Sequence, residues 1–154
     1  MTYVIFIYFS HQNITNGENS LIIPCEIAVK SVLPAIKALM AKELIEKHGL
    51  KQDEAAEILG ISQSAVSKYT RKVRGYIMKI DDIQEIEPLI DKMIDLLVDG
   101  TYQRGDFLKY FCQTCMAIRK TTLMCQFCQK TDPKIKLEKC DFCTTLNPIG
   151  KQEK

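Results

Sequence analysis

The sequence has few of the residues on which enzymes commonly rely. Its only histidines are His11 and His48, and neither lies near a cysteine pair along the chain. It also lacks a glycine-rich loop of the kind that cradles phosphates. A hydrolase or transferase site therefore has no recognisable residues. The one enzyme class with relevant side chains is a thiol oxidoreductase, and we predict that the protein is not an enzyme.

Long apolar runs, low-complexity tracts and solenoid-length repeats are also missing. Residues 3–9, YVIFIYF, are too few to cross a membrane and have neither a positive leader nor a convincing cleavage site. Their β-branched and aromatic content favours a strand, with a non-native extension upstream of the true start as the equal alternative. The sequon at Asn13 has little meaning in a protein that we expect to be cytoplasmic. No membrane association is predicted.

Residues 52–71, QDEAAEILGISQSAVSKYTR, have the spacing of two short helices joined by a tight turn. Ala56 is a small contact residue on the first helix, and Gly60 suits the left-handed conformation that ends it. Ser62 is a favourable N-cap for the second helix, and Val66 supplies its β-branched apolar plug. The pattern predicts a helix-turn-helix in which Ala65, Val66 and Tyr69 face inward.

The outward face of the second helix is polar and partly basic, which suits the major groove of DNA. Glutamine pairs with adenine, serine bonds several base edges, and lysine or arginine reaches guanine or phosphate. Between Glu57 and Asp81 the chain has no acidic residue, although the whole chain is only +2. Such a local excess attracts a polyanion. The alternative is an ordinary helical hairpin with a basic solvated face. The predicted DNA-binding residues are Ser62, Gln63, Ser64, Ser67, Lys68, Arg71, Lys72 and Arg74.

The same segment resembles the helix-turn-helix of the lambda-repressor-like, xenobiotic-response-element family of transcriptional regulators. The wider run over residues 24–75 is similar to the archaeal branch of that family and covers about half of the chain. The resemblance implies a compact helical DNA-binding domain that acts as a sequence-specific regulator, often as a dimer. Double-stranded DNA is therefore the expected partner, and no small-molecule substrate is identified.

Two further helices are predicted around this unit. Pro34 fits the start of a helix that runs to about Lys47 and is ended by Gly49. A second helical period spans Ile83 to Leu97, which Asp81 or Asp82 can cap, with Pro88 near its start or at a kink. Because its opposite face is acidic, this helix is predicted to be core or dimer interface rather than DNA contact. A homodimer would hold two recognition helices about 34 to 36 Å apart.

Six of the seven cysteines lie between residues 112 and 143, in three Cys-x-x-Cys pairs. Two thiolates from one tight turn can share a metal, and two such turns complete a tetrahedral site. The short segment between the first two pairs suits a hairpin, so a closed ribbon site can use Cys112, Cys115, Cys125 and Cys128. The third pair can replace one of these pairs or meet its equivalent in a dimer. The predicted metal-binding residues are Cys112, Cys115, Cys125, Cys128, Cys140 and Cys143.

The ligand set favours zinc, with an iron-sulfur cluster as the alternative. A thiol switch is a further possibility, and permanent disulfides are disfavoured inside the cell. Cys25, isolated in sequence, is interpreted as a small buried residue. The lysines of the tail, from Gly100 onward, have two interpretations: they contact nucleic acid, or they are solvated over a small core that the metal holds together. We favour the second interpretation.

These patterns together predict a mainly α protein: a lambda-repressor-like helix-turn-helix bundle followed by a small, metal-held cysteine-rich module. The predicted divisions are an N-terminal extension at 1–23, a DNA-binding domain at 24–100 and the cysteine-rich module at 107–145. The predicted function is a DNA-binding transcriptional regulator whose tail binds metal and responds to metal or redox state. The alternatives are a zinc-ribbon adaptor that holds a protein partner and a thiol redox protein.

Overall fold

A computed structural model of the chain describes residues 23–76, 78–100 and 103–145. These residues form α-helices and one short 3₁₀ helix and contain no strand, which confirms the mainly α prediction for this part of the chain. The apolar run at 3–9 and the sequon at Asn13 lie outside the described residues. The helices are α1 Pro24–Lys30, α2 Val32–Glu46, α3 Gln52–Leu59, α4 Gln63–Thr70, α5 Glu87–Asp99, α6 Arg104–Lys120, α7 Cys125–Thr131 and α8 Phe142–Thr145, with the 3₁₀ helix at Leu137–Lys139.

Helix α2 is the central support of the molecule. It starts at Val32, so that Pro34 lies in its first turn, where the missing N–H of proline leaves no intrahelical bond unmade. The chain leaves the helix through Gly49, which has a left-handed φ of 67°. Helices α1, α3, α4, α5 and α6 all pack against α2. Its fully buried side chains include Val32, Ile36, Met40 and Leu44.

Helix α5 starts later than the sequence pattern predicts. Its N-cap is Ile86, so the expected cap at Asp81 or Asp82 is wrong. The reason is Pro88, whose fixed φ and missing N–H are tolerated in a first turn but not further inside a helix. Pro88 does lie near the helix start as predicted. The apolar stripe of α5 is covered within the chain, because α5 packs against α2 and α6 and buries Ile90, Met93 and Ile94.

One hydrophobic core runs through both predicted divisions of the chain. Ile118 on α6 and Met124 just before α7 belong to the same buried cluster as Ile36 and Val66 of the amino-terminal helices. Contacts of α6 with α2 and of α7 with α1 join the two parts. No helix within the described ranges is long and apolar enough to cross a membrane.

Gly75 fixes the chain to α2 after α4 ends. It has a φ of +84°, and a Cβ built on it would lie 2.5 Å from the Cβ of Ala38 and 2.7 Å from the carbonyl oxygen of Pro34. Only a residue without a side chain fits both the backbone conformation and the space.

Candidate functional site

The segment from α3 to α4 has the predicted helix-turn-helix geometry. Gly60 ends α3 in the left-handed region, at φ 61° and ψ 39°. The N–H of Ile61 then donates to the carbonyl oxygen of Ala56 at 3.0 Å, which satisfies a carbonyl at the helix end. Ser62 is the N-cap of α4, and its Oγ accepts a hydrogen bond from the N–H of Ala65 at 3.3 Å. Val66 is fully buried, as a plug between the two helices requires.

The outward face of α4 and the residues that flank it, Ser62 before it and Arg71, Lys72 and Arg74 after it, make up the set that was predicted to read DNA. Seven of the eight are exposed, and Ser67 is half-buried, with its carbonyl oxygen accepting a bond from Arg71 Nε at 3.2 Å. The hydroxyls of Ser62 and Ser64 are 3.1 Å apart. The exposed members are Ser62, Gln63, Ser64, Lys68, Arg71, Lys72 and Arg74.

Gln52 is a further residue of this face that the site prediction did not include. Its Oε1 accepts a hydrogen bond from Nε2 of Gln63 at 2.9 Å, so the first helix orients the side chain at the start of the second. The bond leaves the Oε1 of Gln63 available as an acceptor. A glutamine at the first position of each helix is the sequence signal for this pair.

The basic residues after α4 are held by aromatic rings. The guanidinium of Arg74 lies 5.7 Å from the ring centroid of Tyr69, and Nζ of Lys72 lies 5.6 Å from that of Tyr76. Cation–π contacts of this kind orient long side chains without neutralising their charge. The positive charge at the end of α4 therefore stays available to a phosphate.

The first cysteine pair does not lie in a turn. Cys112 and Cys115 are within α6, three residues apart on a continuous helix, so the predicted hairpin between the first and second pairs is wrong. A two-residue gap between cysteines is compatible with one helical turn as well as with a metal-binding knuckle. The three-residue spacing alone therefore could not distinguish the two.

The second and third pairs line one cavity. Cys125 and Cys128 on α7 and Cys140 and Cys143 at the start of α8 are part of the wall of a cavity of about 400 Å³. Burial raises the pKa of the Cys125 thiol, and its neighbours Cys143 and Cys140 raise it further. Burial also raises the pKa of Cys128, with Cys143 as the next cause. Their shared cavity places the two pairs near each other.

The first pair lines a neighbouring cavity, also of about 400 Å³, together with Cys25; the two cavities share Ile23, Pro24 and Phe142. Cys25 is exposed, so its interpretation as a buried residue is wrong. The position of Cys25 in the sequence, far from the other cysteines, did not indicate that it lies beside the first pair. The fold brings them together by placing α1 beside the carboxy-terminal helices. Burial raises the pKa of the Cys115 thiol; the charge of Arg119 opposes this increase, and Cys25 adds to it.

Arg119 is a second residue that sequence inspection did not identify. Its side chain is buried, with 6% of the residue exposed, and its Nε has no hydrogen-bond partner among the described residues. Its Nη2 donates to Sγ of Cys143 at 3.5 Å, and its guanidinium lies 5.9 Å from the ring centroid of Phe142. The ion pairs found in the described part of the chain do not involve Arg119.

The thiols are near each other but not in coordination geometry. Within 23–76, 78–100 and 103–145, no three His, Cys, Asp or Glu side chains are arranged to hold a metal ion. The six predicted ligands line two adjoining cavities, Cys112 and Cys115 in one and the four thiols of the second and third pairs in the other.

Comparison with known proteins supports the helix-turn-helix. Residues 42–75 match a family model described as helix-turn-helix. The matched segment contains the end of α2, the whole of α3 and α4, and the chain as far as Gly75. Neither a curated protein nor a solved structure matches the chain. The fold and the match together define a chain with a helix-turn-helix of the class found in DNA-binding regulators.

Proposed function

We propose that the protein is a sequence-specific transcriptional regulator of the lambda-repressor-like type that inserts α4 into the major groove of DNA inside the cell. The observation that carries the proposal is the exposed row on α4, held by a buried plug at Val66 and capped at Ser62. In helix-turn-helix complexes the amino-terminal residues of the second helix contact base edges. Gln63 occupies that position here, and its hydrogen bond to Gln52 limits the rotation of its side chain.

Charge divides the face into two parts with different roles. Gln63 and Ser64 are neutral groups at the start of α4, suited to base edges. Lys68, Arg71 and Arg74 are exposed at its end and beyond it, where they suit phosphate oxygens. We expect the first part to determine sequence preference and the second to contribute most of the salt-dependent affinity.

Selection of duplexes from a random library with the full chain tests the proposal and supplies the target sequence. Gln63→Ala should weaken binding to the selected duplex by about 1–3 kcal/mol and relax its preference at one position. Lys68→Ala, if it removes a phosphate contact, should weaken binding to selected and random duplexes alike. It should also reduce by about 1 the slope of the logarithm of affinity against the logarithm of salt concentration. The charge-matched control is Lys130→Ala, on α7 outside the helix pair. Failure to enrich any sequence, or equal effects of the three variants, would overturn the proposal.

We also propose that the protein binds a two-fold operator as a homodimer, since a single short recognition helix contacts few bases. The stripe of α5 is covered by α2 and α6, so the pairing surface would be a different one from that predicted. The selected duplexes should then contain inverted half-sites whose centres are about 34–36 Å apart. A single uninterrupted half-site bound by one chain would contradict this part of the proposal.

A further inference from the structure

The cavity between α7 and α8 gathers four thiols that belong to two Cys-x-x-Cys pairs. Cys125 and Cys128 lie one turn apart on α7, while Cys140 and Cys143 flank the start of α8. Two such pairs are the usual source of a four-thiolate tetrahedral site. The intervening residues 129–139 turn back so that both pairs reach one cavity. The fold therefore selects one combination from the six clustered cysteines.

Arg119 lines the neighbouring cavity, but it reaches Cys143 of this one and supplies an independent observation that a negative charge belongs beside that thiol. A buried guanidinium is costly unless an anion faces it, and the ion pairs of the described residues leave Arg119 without a carboxylate. Its Nη2 points at Sγ of Cys143 instead. A neutral thiol is a weak acceptor, whereas a metal-bound thiolate is a strong one. A divalent ion with four thiolates also carries a net negative charge, which the guanidinium would offset.

We propose that Cys125, Cys128, Cys140 and Cys143 bind one zinc ion through four thiolates, with Arg119 as the hydrogen-bonding counter-charge. We assign no ligand role to Cys112, Cys115 or Cys25, which line the neighbouring cavity. The four thiols are not in coordination geometry in the described residues, so zinc binding has to draw the two short helices together. Such closing is usual, since sites are rarely complete before the metal arrives. The proposal does not depend on DNA binding.

Metal titration of the full chain, purified reduced and without oxygen, tests the coordination. Cobalt added to the zinc-free protein should saturate at one ion per chain and give the intense visible and charge-transfer absorption of a tetrahedral thiolate site. Zinc should then displace the cobalt and bleach these bands. A weak spectrum typical of an octahedral site overturns the proposal. So does a freshly purified brown protein with iron and inorganic sulfide, which would instead carry a cluster at these thiols.

Thiol alkylation with and without zinc, located by mass spectrometry, identifies the ligands in the unaltered chain. Zinc should protect Cys125, Cys128, Cys140 and Cys143. It should leave the reactivity of Cys25 and Cys112 at the zinc-free level. Protection of Cys112 and Cys115 in place of either proposed pair would overturn the assignment.

A pair of matched variants gives the same answer by a different route. Cys140 and Cys112 are both exposed first members of a Cys-x-x-Cys pair. Cys140→Ser should lose the tetrahedral cobalt spectrum, and Cys112→Ser should keep it unchanged. Equal loss in both variants, with helical circular dichroism retained, would overturn the proposal. If a variant fails to fold, the alkylation pattern of the unaltered chain still decides between the ligand sets.

Discussion

At the scale of single residues, two glycines with similar positive φ have different reasons to be glycine. Gly60 has a φ of +61° and nothing within 4 Å of a built Cβ, whereas Gly75 has a φ of +84° and meets the Pro34 carbonyl oxygen at 2.7 Å. For Gly60 the cost of a side chain is conformational alone. For Gly75 a steric clash with backbone adds to it.

We therefore expect Gly60→Ala to lower the free energy of unfolding by about 1–2 kcal/mol, the cost of the left-handed conformation. Gly75→Ala should cost roughly 1–3 kcal/mol more, because the α2 backbone cannot move aside. Urea denaturation of both variants measures the difference. Equal losses in the two variants would mean that the chain after α4 relaxes away from α2.

Glu43 is a buried carboxylate with an incomplete set of partners. It is 8% exposed, its Oε1 lies 3.3 Å from Nζ of Lys47, and its Oε2 has no partner among the described residues. Burial raises its pKa above the ordinary value of 4.5, although the charge of Lys47 opposes this. The folded state thus holds the proton more tightly than the unfolded state, and the contribution of Glu43 to stability is greatest below pH 4.5. That contribution is lost as the pH rises through the folded-state pKa.

Glu43→Gln keeps the shape of the side chain but removes its titration. The stability of this variant relative to the unaltered protein should therefore increase from about pH 4 to pH 7, because ionisation of the buried carboxyl destabilises the folded state of the unaltered protein as the pH rises. Urea denaturation at both pH values measures this change. Glu46→Gln, on the exposed side of α2, is the control and should stay within about 0.5 kcal/mol. A relative stability of Glu43→Gln that falls with pH would show that the ion pair with Lys47 outweighs burial.

At the scale of elements, the start of α4 depends on one hydroxyl. Ser62 Oγ caps the helix, whereas Ser64 Oγ contacts only Ser62 Oγ. Ser62→Ala should therefore lower the free energy of unfolding by about 1 kcal/mol, and Ser64→Ala should stay within about 0.5 kcal/mol. Chemical denaturation compares the two. If both variants lose the same free energy of unfolding, the hydroxyl of Ser62 stabilises the protein no more than any exposed hydroxyl would.

The elements differ in how far the sequence determines them. The α3–α4 unit was predictable because Gly60 and Ser62 act through local geometry, within one turn of their own position, and Val66 packs between the two helices that they join. The start of α5 was missed because Pro88 outweighs the aspartates before it. Helix α6 was missed although Phe107, Phe111, Thr114 and Ile118 follow a helical period, because the cysteine spacing suggested a turn.

The exposed polar face of α4 was predictable and the arrangement of the thiols was only partly so, for the same physical reason. Gln63 and Ser67, like Ser64 and Lys68, are four residues apart on one helix, so periodicity alone places the two members of each pair on the same face. The division of the cysteines depends on how α1, α6, α7 and α8 pack, and neither spacing nor composition encodes that packing. Arg119 could not be identified at all, since its burial results from contacts between distant segments.

At the scale of the whole molecule, the predicted division into 24–100 and 107–145 implies that the two parts fold independently. The shared core argues against independence, because Ile118 is fully buried in the same cluster as Val66. Residues that share one core normally unfold together in a domain of this size. The proposed DNA reader and the proposed thiol site would then gain or lose stability together.

Ile118→Ala tests this coupling. Removing the buried side chain should cost about 2–5 kcal/mol, and hydrogen exchange of the core amides in α2 and α4 should accelerate by a corresponding factor. Leu108→Ala, at a site on the same helix that is 44% exposed, is the control and should change exchange little. If Ile118→Ala accelerates exchange only in α6 and α7, the two parts fold separately and the metal state of one could not reach the other through the core. If exchange accelerates throughout, loss of the proposed zinc ion should also weaken DNA binding. The reason is that α4, the proposed DNA reader, draws its stability from the core that the thiol-bearing helices help to build.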